Sequence, residues 1–226
     1  SNDTLFRINP SSGTNASIDN VSVVEVGQDW DFTDGASITD NGVRIFSDGT
    51  YQRITQNNVL TVGKQYKVQY EIVENNSGEL KMNSSFGLTP IPSTVGTHTV
   101  YAEALQTFLT IERTAACDVT ITIISVKEVG QDWNLGNKWS IGENSAIRVP
   151  NSTSNLSQVI SGISGKTIKV SYEVSDYVTG DIGASADGNN YNANNGNGTF
   201  VEYITPTSDN FYLRASYSFE GSVTNI

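Results

Sequence analysis

Tyrosine, arginine and asparagine side chains are the groups in this sequence whose types and spacing best suit chemistry at a surface. Aromatic rings can stack on the apolar faces of sugar rings, and planar guanidinium and amide groups can hydrogen-bond to hydroxyls. The candidate ligand-binding residues in the second half of the chain are Tyr177, Tyr191, Tyr212, Tyr217, Arg148, Arg214 and Asn190. The candidates in the first half are Tyr51, Tyr101, Arg44 and Arg53.

Two local patterns place some of these candidates. Tyr212 and Arg214 alternate with Phe211, Leu213 and Ala215, so a strand here has one polar and one apolar face. Tyr191 lies within Ser185–Gly198, a long loop that is rich in Asn and Gly and is a natural place for recognition. The alternative for every tyrosine is that its ring simply packs on the sheet.

Catalytic and metal-binding groups are sparse. His98 is the one imidazole, and Phe200 stands at the corresponding place in the second half, which indicates packing. Asp176, Asp181 and Asp187 could lie near one another, but acids beside loops are usually solvated. We predict no enzyme, no catalytic residues, no transition-metal site and no cofactor. A structural calcium ion near Asp187-Gly188-Asn189 is the weak alternative.

Composition restricts the class of protein. Of 226 residues, 37% are hydrophobic and 16% are charged, as in a folded chain, and the net charge of −11 disfavours nucleic acid and anionic membranes. No apolar run approaches the roughly 20 residues that span a bilayer. The single Cys117 cannot form an intrachain disulfide, and we expect a packed thiol.

A near-repeat divides the chain. The stretch from Ser22 to Phe32 recurs 103 residues later, from Ser125 to Leu135. We predict that residues 27–129 and 130–226 are two modules and that residues 1–26 are the closing strands of a preceding module. In each joint, Gly-Gln-Asp is expected to form a corner, and Trp30, Trp133 and Trp139 to pack in the cores.

Within the modules, three pairs of segments correspond. The pairs are residues 43–45 with 147–149, 62–72 with 164–174, and 96–101 with 198–203. The first pair equates Arg44 with Arg148. Short Thr/Val/Ile/Tyr runs between Gly and Asn turns predict an all-β chain of tandem antiparallel β-sandwich modules, with about eight strands each.

Several of these segments resemble a known group. Ile18–Val23, Val62–Tyr70 and the Gly-Thr-x-x-x-Tyr strands at 96–101 and 198–203 resemble carbohydrate-binding modules of the family 4, 9 and 22 type, which are galactose-binding-domain-like jelly rolls. Repeats that end in Ser-Val-Lys-Glu-Val-Gly are similar to modules strung along phage tail and fibre proteins. The closing-strand Asp, which relatives can use for calcium, is Asp19 here but Thr122 and Thr224 in the later copies.

The resemblance implies a jelly-roll fold and non-catalytic binding of polysaccharide or cell-surface glycan, in a virion or extracellular setting. The alternative is a structural spacer or assembly repeat of a virion fibre or bacterial surface adhesin. A homo-oligomer is a further expectation, in which residues 19–26 of one chain would fill a vacant edge of the second module of the next.

Overall fold

A computed structural model describes residues 29–226 of the chain. The strands expected within residues 4–26, their proposed role as donated or closing strands, and the first copy of the repeated stretch up to Gln28 lie outside the described residues. The described part contains eighteen β-strands and one short helix, and every strand pairing is antiparallel. The all-β antiparallel prediction is therefore confirmed.

The first nine strands form one four-stranded and one five-stranded sheet. Their bounds are β1 Trp30–Phe32, β2 Ala36–Thr39, β3 Gly42–Ser47, β4 Arg53–Gln56, β5 Gln65–Ser77, β6 Leu80–Lys81, β7 Gly96–Glu103, β8 Leu109–Arg113 and β9 Cys117–Val129, with helix α1 at Asn83–Phe86 between β6 and β7. The sheet orders are β1-β4-β8-β6 and β2-β3-β9-β5-β7. We call this set of strands the first unit.

The last nine strands repeat this arrangement and are called the second unit. Their bounds are β10 Asn134–Leu135, β11 Trp139–Ile141, β12 Ala146–Arg148, β13 Ser154–Val159, β14 Ile168–Thr179, β15 Ile182–Ser185, β16 Gly198–Ile204, β17 Asn210–Ala215 and β18 Glu220–Thr224. The sheet orders are β10-β13-β17-β15 and β11-β12-β18-β14-β16. Each unit has nine strands where the turn spacing predicts about eight.

Each unit has its own buried cluster of apolar side chains, which come from alternating residues of its strands. On β5, Tyr66, Val68, Tyr70 and Ile72 are buried while the residues between them are less buried. On β17, Phe211, Leu213 and Ala215 are buried, so Tyr212 and Arg214 lie on the outer face. Burial of one face by period-two alternation is the main source of stability in such sheets.

The predicted correspondence of Arg148 with Arg44 is wrong by one residue. Ile45 lies opposite Val119, and the equivalent partner of Arg148 is Gly221, so Arg148 takes the place of Ile45. A shift of one residue moves a side chain to the other face of a strand. Arg148 is accordingly 0% exposed, whereas Arg44 is on the surface and makes a bidentate ion pair with Asp118.

The chain turns sharply where β9 leads into the second unit. The amide of Trp133 donates to the carbonyl of Gly130 at 3.0 Å, and Gly130 has a φ of 69°. A Cβ at Gly130 would lie 2.6 Å from Cγ1 of Ile141, so glycine is required by both conformation and space. Trp139 is buried, and Trp30 and Trp133 pack partly buried against the two cores.

Cys117 is buried, and that burial raises the pKa of its thiol, as expected for a packed side chain. Within residues 29–226, the single short helix is far from the length and apolarity that a membrane crossing needs.

Candidate functional site

Tyr212 and Arg214 project from the outer face of the four-stranded sheet of the second unit. Tyr212 lies between Ser157 on β13 and Ser185 on β15 in the ladder. Arg214 lies between Asn155 and Gly183 on the same strands. Both side chains are half-buried, because the Asn/Gly loop from Ser185 to Gly198 folds over this face.

Gly183 makes room for that loop. A Cβ at Gly183 would lie 2.1 Å from the carbonyl oxygen of Asn192 and 2.9 Å from Cδ2 of Tyr191. The loop also forms isolated bridges from Ser185 to Tyr191 and from Ile182 to Asn194. The ring of Tyr191 is therefore held against the sheet beside Arg214, and does not extend into solvent.

Arg214 fastens the middle of the loop. Its Nη1 donates to the carbonyl oxygen of Gly188 at 2.5 Å and to Oδ1 of Asn155 at 3.4 Å. Asn155 itself donates from Nδ2 to the same Gly188 carbonyl at 3.1 Å. A Cβ at Gly188 would lie 3.4 Å from the ring of Tyr212, so the loop backbone passes over that ring.

Asp187 organises the exposed turn of the loop. Its Oδ1 accepts from the amides of Asn189 at 2.8 Å and Asn190 at 2.9 Å, and its Oδ2 accepts from Nδ2 of Asn190 at 2.8 Å. These hydrogen bonds hold the pKa of the Asp187 carboxyl well below its usual range. They also fix the Asn190 side chain at the surface of the turn.

Tyr191 is tied down at its hydroxyl, which donates to the Asp181 carboxylate. Burial first, and then the bond to Asp181, raises the pKa of Tyr191 to about 12. The face of the ring, rather than the hydroxyl, is the part of Tyr191 suited to a ligand. Neither Asp181 nor Asp187 was expected to have these structural roles.

A buried carboxylate beneath the loop was missed by the sequence reasoning. Oε1 of Glu202 accepts from the Tyr172 hydroxyl at 2.8 Å, from the Ala184 amide at 3.0 Å and from Nδ2 of Asn194 at 2.9 Å. Glu202 is only 7% exposed. The available signal was spacing: Phe200, Glu202 and Ile204 stand at every second position of β16, which places Glu202 on the inward face with the two apolar residues.

Three other candidates of the second unit lie apart from this cluster. Tyr177 packs against Phe219, with ring centroids 6.4 Å apart, and its hydroxyl donates to the Gly180 carbonyl at 3.0 Å. Tyr217 is exposed. Arg148 is inside the core near Trp139, where burial lowers the pKa of its guanidinium. Its side chain is not at a ligand-accessible surface.

In the first unit, helix α1 covers the equivalent outer face of the four-stranded sheet. Glu112 takes the place of Arg214, and its carboxylate accepts from the Tyr51 hydroxyl and from Ser84 of α1 at 3.2 Å. Thr110, in the place of Tyr212, donates its amide to Oγ of Ser85 at 2.7 Å. Helix α1 therefore occupies the position that the Asn/Gly loop has in the second unit.

The remaining candidates of the first unit are engaged elsewhere. Arg44 lies over the exposed ring of Phe46 at 5.3 Å while paired with Asp118, and Arg53 lies over the Tyr51 ring at 5.6 Å. Tyr101 lines the groove between the units. The structure thus brings together Tyr191, Tyr212, Arg214 and Asn190, and separates these four from Tyr177, Arg148, Tyr51 and Arg44.

His98 and Phe200 have the same role in the two units. The His98 ring lies 5.5 Å from Tyr70 and the Phe200 ring lies 5.6 Å from Tyr172, each pair tilted. The predicted equivalence of these positions is confirmed. Among the described residues, no group of three or more His, Cys, Asp or Glu side chains could hold a metal ion.

Comparisons with known proteins do not identify a family. No protein-family model matches the sequence, and no curated protein matches it significantly. The likeness to carbohydrate-binding modules and to phage fibre repeats therefore stays a prediction.

Proposed function

We propose that the second unit is a non-catalytic carbohydrate-binding module, and that Tyr212, Tyr191, Arg214 and Asn190 bind its ligand. The observation that supports this most is the joining of these four residues on one outer face of a sheet. They come from two distant segments of the chain. Arg214 joins the two segments, Gly183 leaves room for the loop against the sheet, and Asp187 fixes Asn190 within the loop.

The chemistry of this surface suits a polysaccharide. The parts of the Tyr212 and Tyr191 rings that the loop and the sheet leave uncovered offer aromatic area for the apolar face of a sugar, and the Asn190 amide offers both a donor and an acceptor. The Arg214 guanidinium has five N–H donors, of which Nη1 serves the loop. Prepositioned side chains lose little entropy when a ligand binds, which favours affinity.

The proposal assigns one binding surface to the described part of the chain. Glu112, Thr110 and helix α1 give the first unit a different face at the equivalent place. A single shallow surface binds weakly, so we propose that repetition along a virion fibre or another extracellular protein multiplies the affinity. We further propose that both units are jelly rolls of the galactose-binding-domain-like type.

Affinity-gel electrophoresis in a panel of neutral and acidic polysaccharides tests the proposal. At least one polysaccharide should retard the wild-type chain, and Tyr212→Ala should remove most of that retardation. Tyr217→Ala is the matched control, because Tyr217 is exposed in the same unit but outside the cluster. If every polysaccharide fails to retard the wild type, or if both variants behave alike, the proposal is wrong.

A structural spacer or assembly repeat, in a virion fibre or a bacterial surface adhesin, is the second candidate function. One observation favours it. Tyr191 and Arg214 make intramolecular hydrogen bonds, and residues whose role is only to hold the loop on the sheet would make the same bonds. In that case Arg214→Ala should loosen the loop while the wild type binds no polysaccharide. The gel experiment separates the two candidates.

A further inference from the structure

The two units meet through the outer strands of their five-stranded sheets. β7 is at one edge of the first sheet and β11 is at the opposite edge of the second. Tyr101 on β7 and Lys67 beside it line a groove of ≈ 810 Å³ together with Ile141 and Gly142. Nζ of Lys67 lies 5.7 Å from the centre of the Tyr101 ring. We call this arrangement the intrachain junction.

Each half of the junction occurs a second time in the molecule. Lys169 lies opposite Tyr203 on β14 and β16, as Lys67 lies opposite Tyr101. Ile38 on β2 lies opposite Val43, as Ile141 on β11 lies opposite Ala146. The second unit therefore repeats the Lys–Tyr edge of the first. The first unit repeats, at Ile38 on β2, the edge that carries Ile141 on β11 in the second unit, and we call this kind of edge the receiving edge.

The repeated halves differ from the junction in exposure. Tyr101, Lys67 and Ile141 are half-buried, whereas Tyr203 is 67% exposed and Ile38 is 41% exposed. Lys169 is also exposed, and so is Thr39, whose counterpart Gly142 is buried. Among residues 29–226, the same positions are covered where the two units meet and exposed at the other edge of each unit. Exposed edge strands with large apolar side chains favour association.

The receiving edge of the first unit includes a preformed apolar groove. It has a volume of ≈ 340 Å³, and its apolar lining includes Trp30, Phe32, Ile38, Val43, Ile54 and Ile121. The corresponding groove of the second unit, with Trp133, Ile141, Ala146, Leu156 and Val223, is the one that Tyr101 and Lys67 line in the junction. The groove of the first unit thus corresponds to the groove of the second unit, against which Tyr101 and Lys67 of the first unit already lie.

We propose that a second copy of this chain docks head to tail, with its Lys169–Tyr203 edge on the Ile38 groove of the first unit. This contact repeats the intrachain junction between molecules. It is heterologous, because the two surfaces differ, so it builds open chains or rings of copies rather than symmetric dimers. It does not depend on carbohydrate binding, and the two proposals can fail separately.

Sedimentation velocity of the full chain over a range of concentrations tests this docking. The wild type should increase in mean mass with concentration, in steps of one chain. Tyr203→Asp and Ile38→Asp should each remain monomeric, because each buries a charge in the contact. Tyr203 is mostly exposed, so Tyr203→Asp should keep the wild-type thermal midpoint, whereas Ile38→Asp should lower it slightly because Ile38 is partly packed in the groove. Lys169→Glu is a second edge variant and should also weaken association.

A mixing experiment distinguishes head-to-tail docking from other dimers. Tyr203→Asp retains an intact groove and Ile38→Asp retains an intact edge, so their mixture should form a one-to-one complex that grows no further. Val178→Asp is the matched control and should associate like the wild type, because Val178 is exposed but lies at the opposite end of β14 from Lys169.

Four results overturn the proposal. The first is a wild type that stays monomeric up to about 1 mM, a concentration at which even an interface with a millimolar dissociation constant would show dimers. The second is unchanged association of Tyr203→Asp, and the third is a mixture of the two variants that stays monomeric. The fourth is association that is lost on deletion of residues 1–26 while Tyr203→Asp still associates, which indicates strand exchange instead.

Discussion

Arg214 on β17 donates a hydrogen bond to the carbonyl oxygen of Gly188, and so joins the Asn/Gly loop to the sheet that it covers. The donor and the acceptor are separated by 26 residues in the chain. The same arginine lies on the outer face with Tyr212. The position of the loop and the proposed binding surface are therefore coupled through one side chain.

Arg214→Ala should release the loop. Hydrogen bonds from charged groups contribute about 1.5–3 kcal/mol when buried, and partial exposure of Arg214 reduces this to roughly 1 kcal/mol. We expect faster hydrogen exchange at the amides of residues 187–194 with little change elsewhere. Arg214→Lys should restore part of the protection, since one N–H donor to Gly188 is enough for that bond. Equal exchange in wild type and Arg214→Ala contradicts the coupling.

Gly183→Ala should displace the loop from below. The added Cβ would meet the backbone oxygen of Asn192 at 2.1 Å, and such overpacking costs about 1–3 kcal/mol. Chemical denaturation should show this loss of unfolding free energy. Gly221→Ala is the control, because a Cβ there would come no closer than 3.2 Å to Cζ of Phe219 and 3.3 Å to the Ser175 carbonyl oxygen. A control loss as large as that of Gly183→Ala would refute the specific clash.

Arg148→Met should stabilise the second unit. Nε and Nη1 of Arg148 are buried and have no hydrogen-bond acceptor among the described residues, while Ile45 fills the same place in the first unit. Nη2 does donate to the Ser152 carbonyl oxygen, so the buried charge is only partly satisfied. Replacing such a charge by an apolar side chain gains about 1–3 kcal/mol. The thermal midpoint should rise, whereas Arg44→Met, which breaks the surface pair with Asp118, should lower it slightly. A lower midpoint for Arg148→Met is the contrary outcome.

Acid should weaken the fold partly through Asp187. The pKa of its carboxyl is lowered by hydrogen bonds from Asn190 and Asn189, so the unfolded state binds the proton more readily. The stabilisation is complete above the unfolded value near 3.8 and is lost as the pH falls through the lower folded value. Urea denaturation of Asp187→Ala should show a smaller decline from pH 5 to pH 2 than the wild type. An identical decline means that Asp187 has no such role.

The sequence predicted part of this site because part of it is local. Period-two alternation at 211–215 was enough to place Tyr212 and Arg214 on one face, and the Asn/Gly content of 185–198 was enough to predict a loop. The folding of that loop onto Gly183 depends on hydrogen bonds between residues far apart in the chain, such as Arg214 with Gly188. No local pattern encodes those contacts.

Arg148 shows a different limit. Strand β12 contains only three residues, so alternation cannot fix its register, and the shared residue type favours an alignment of Arg148 with Arg44. The pairing of β12 with β18 places Arg148 one residue away from the position equivalent to Arg44, and therefore on the inner face. Position in a ladder, rather than residue type, decided whether this arginine reaches the surface.

Chemical-shift mapping tests the central claim, carbohydrate binding by the second unit, most directly. A ¹⁵N-labelled chain is titrated with the polysaccharide that retards it in gels, or with each oligosaccharide of a panel. We expect shift changes concentrated at residues 183–191 and 212–214, and their loss in Tyr212→Ala. Changes confined to the first unit or to the junction, or no changes with any saccharide, would contradict the assignment of this surface.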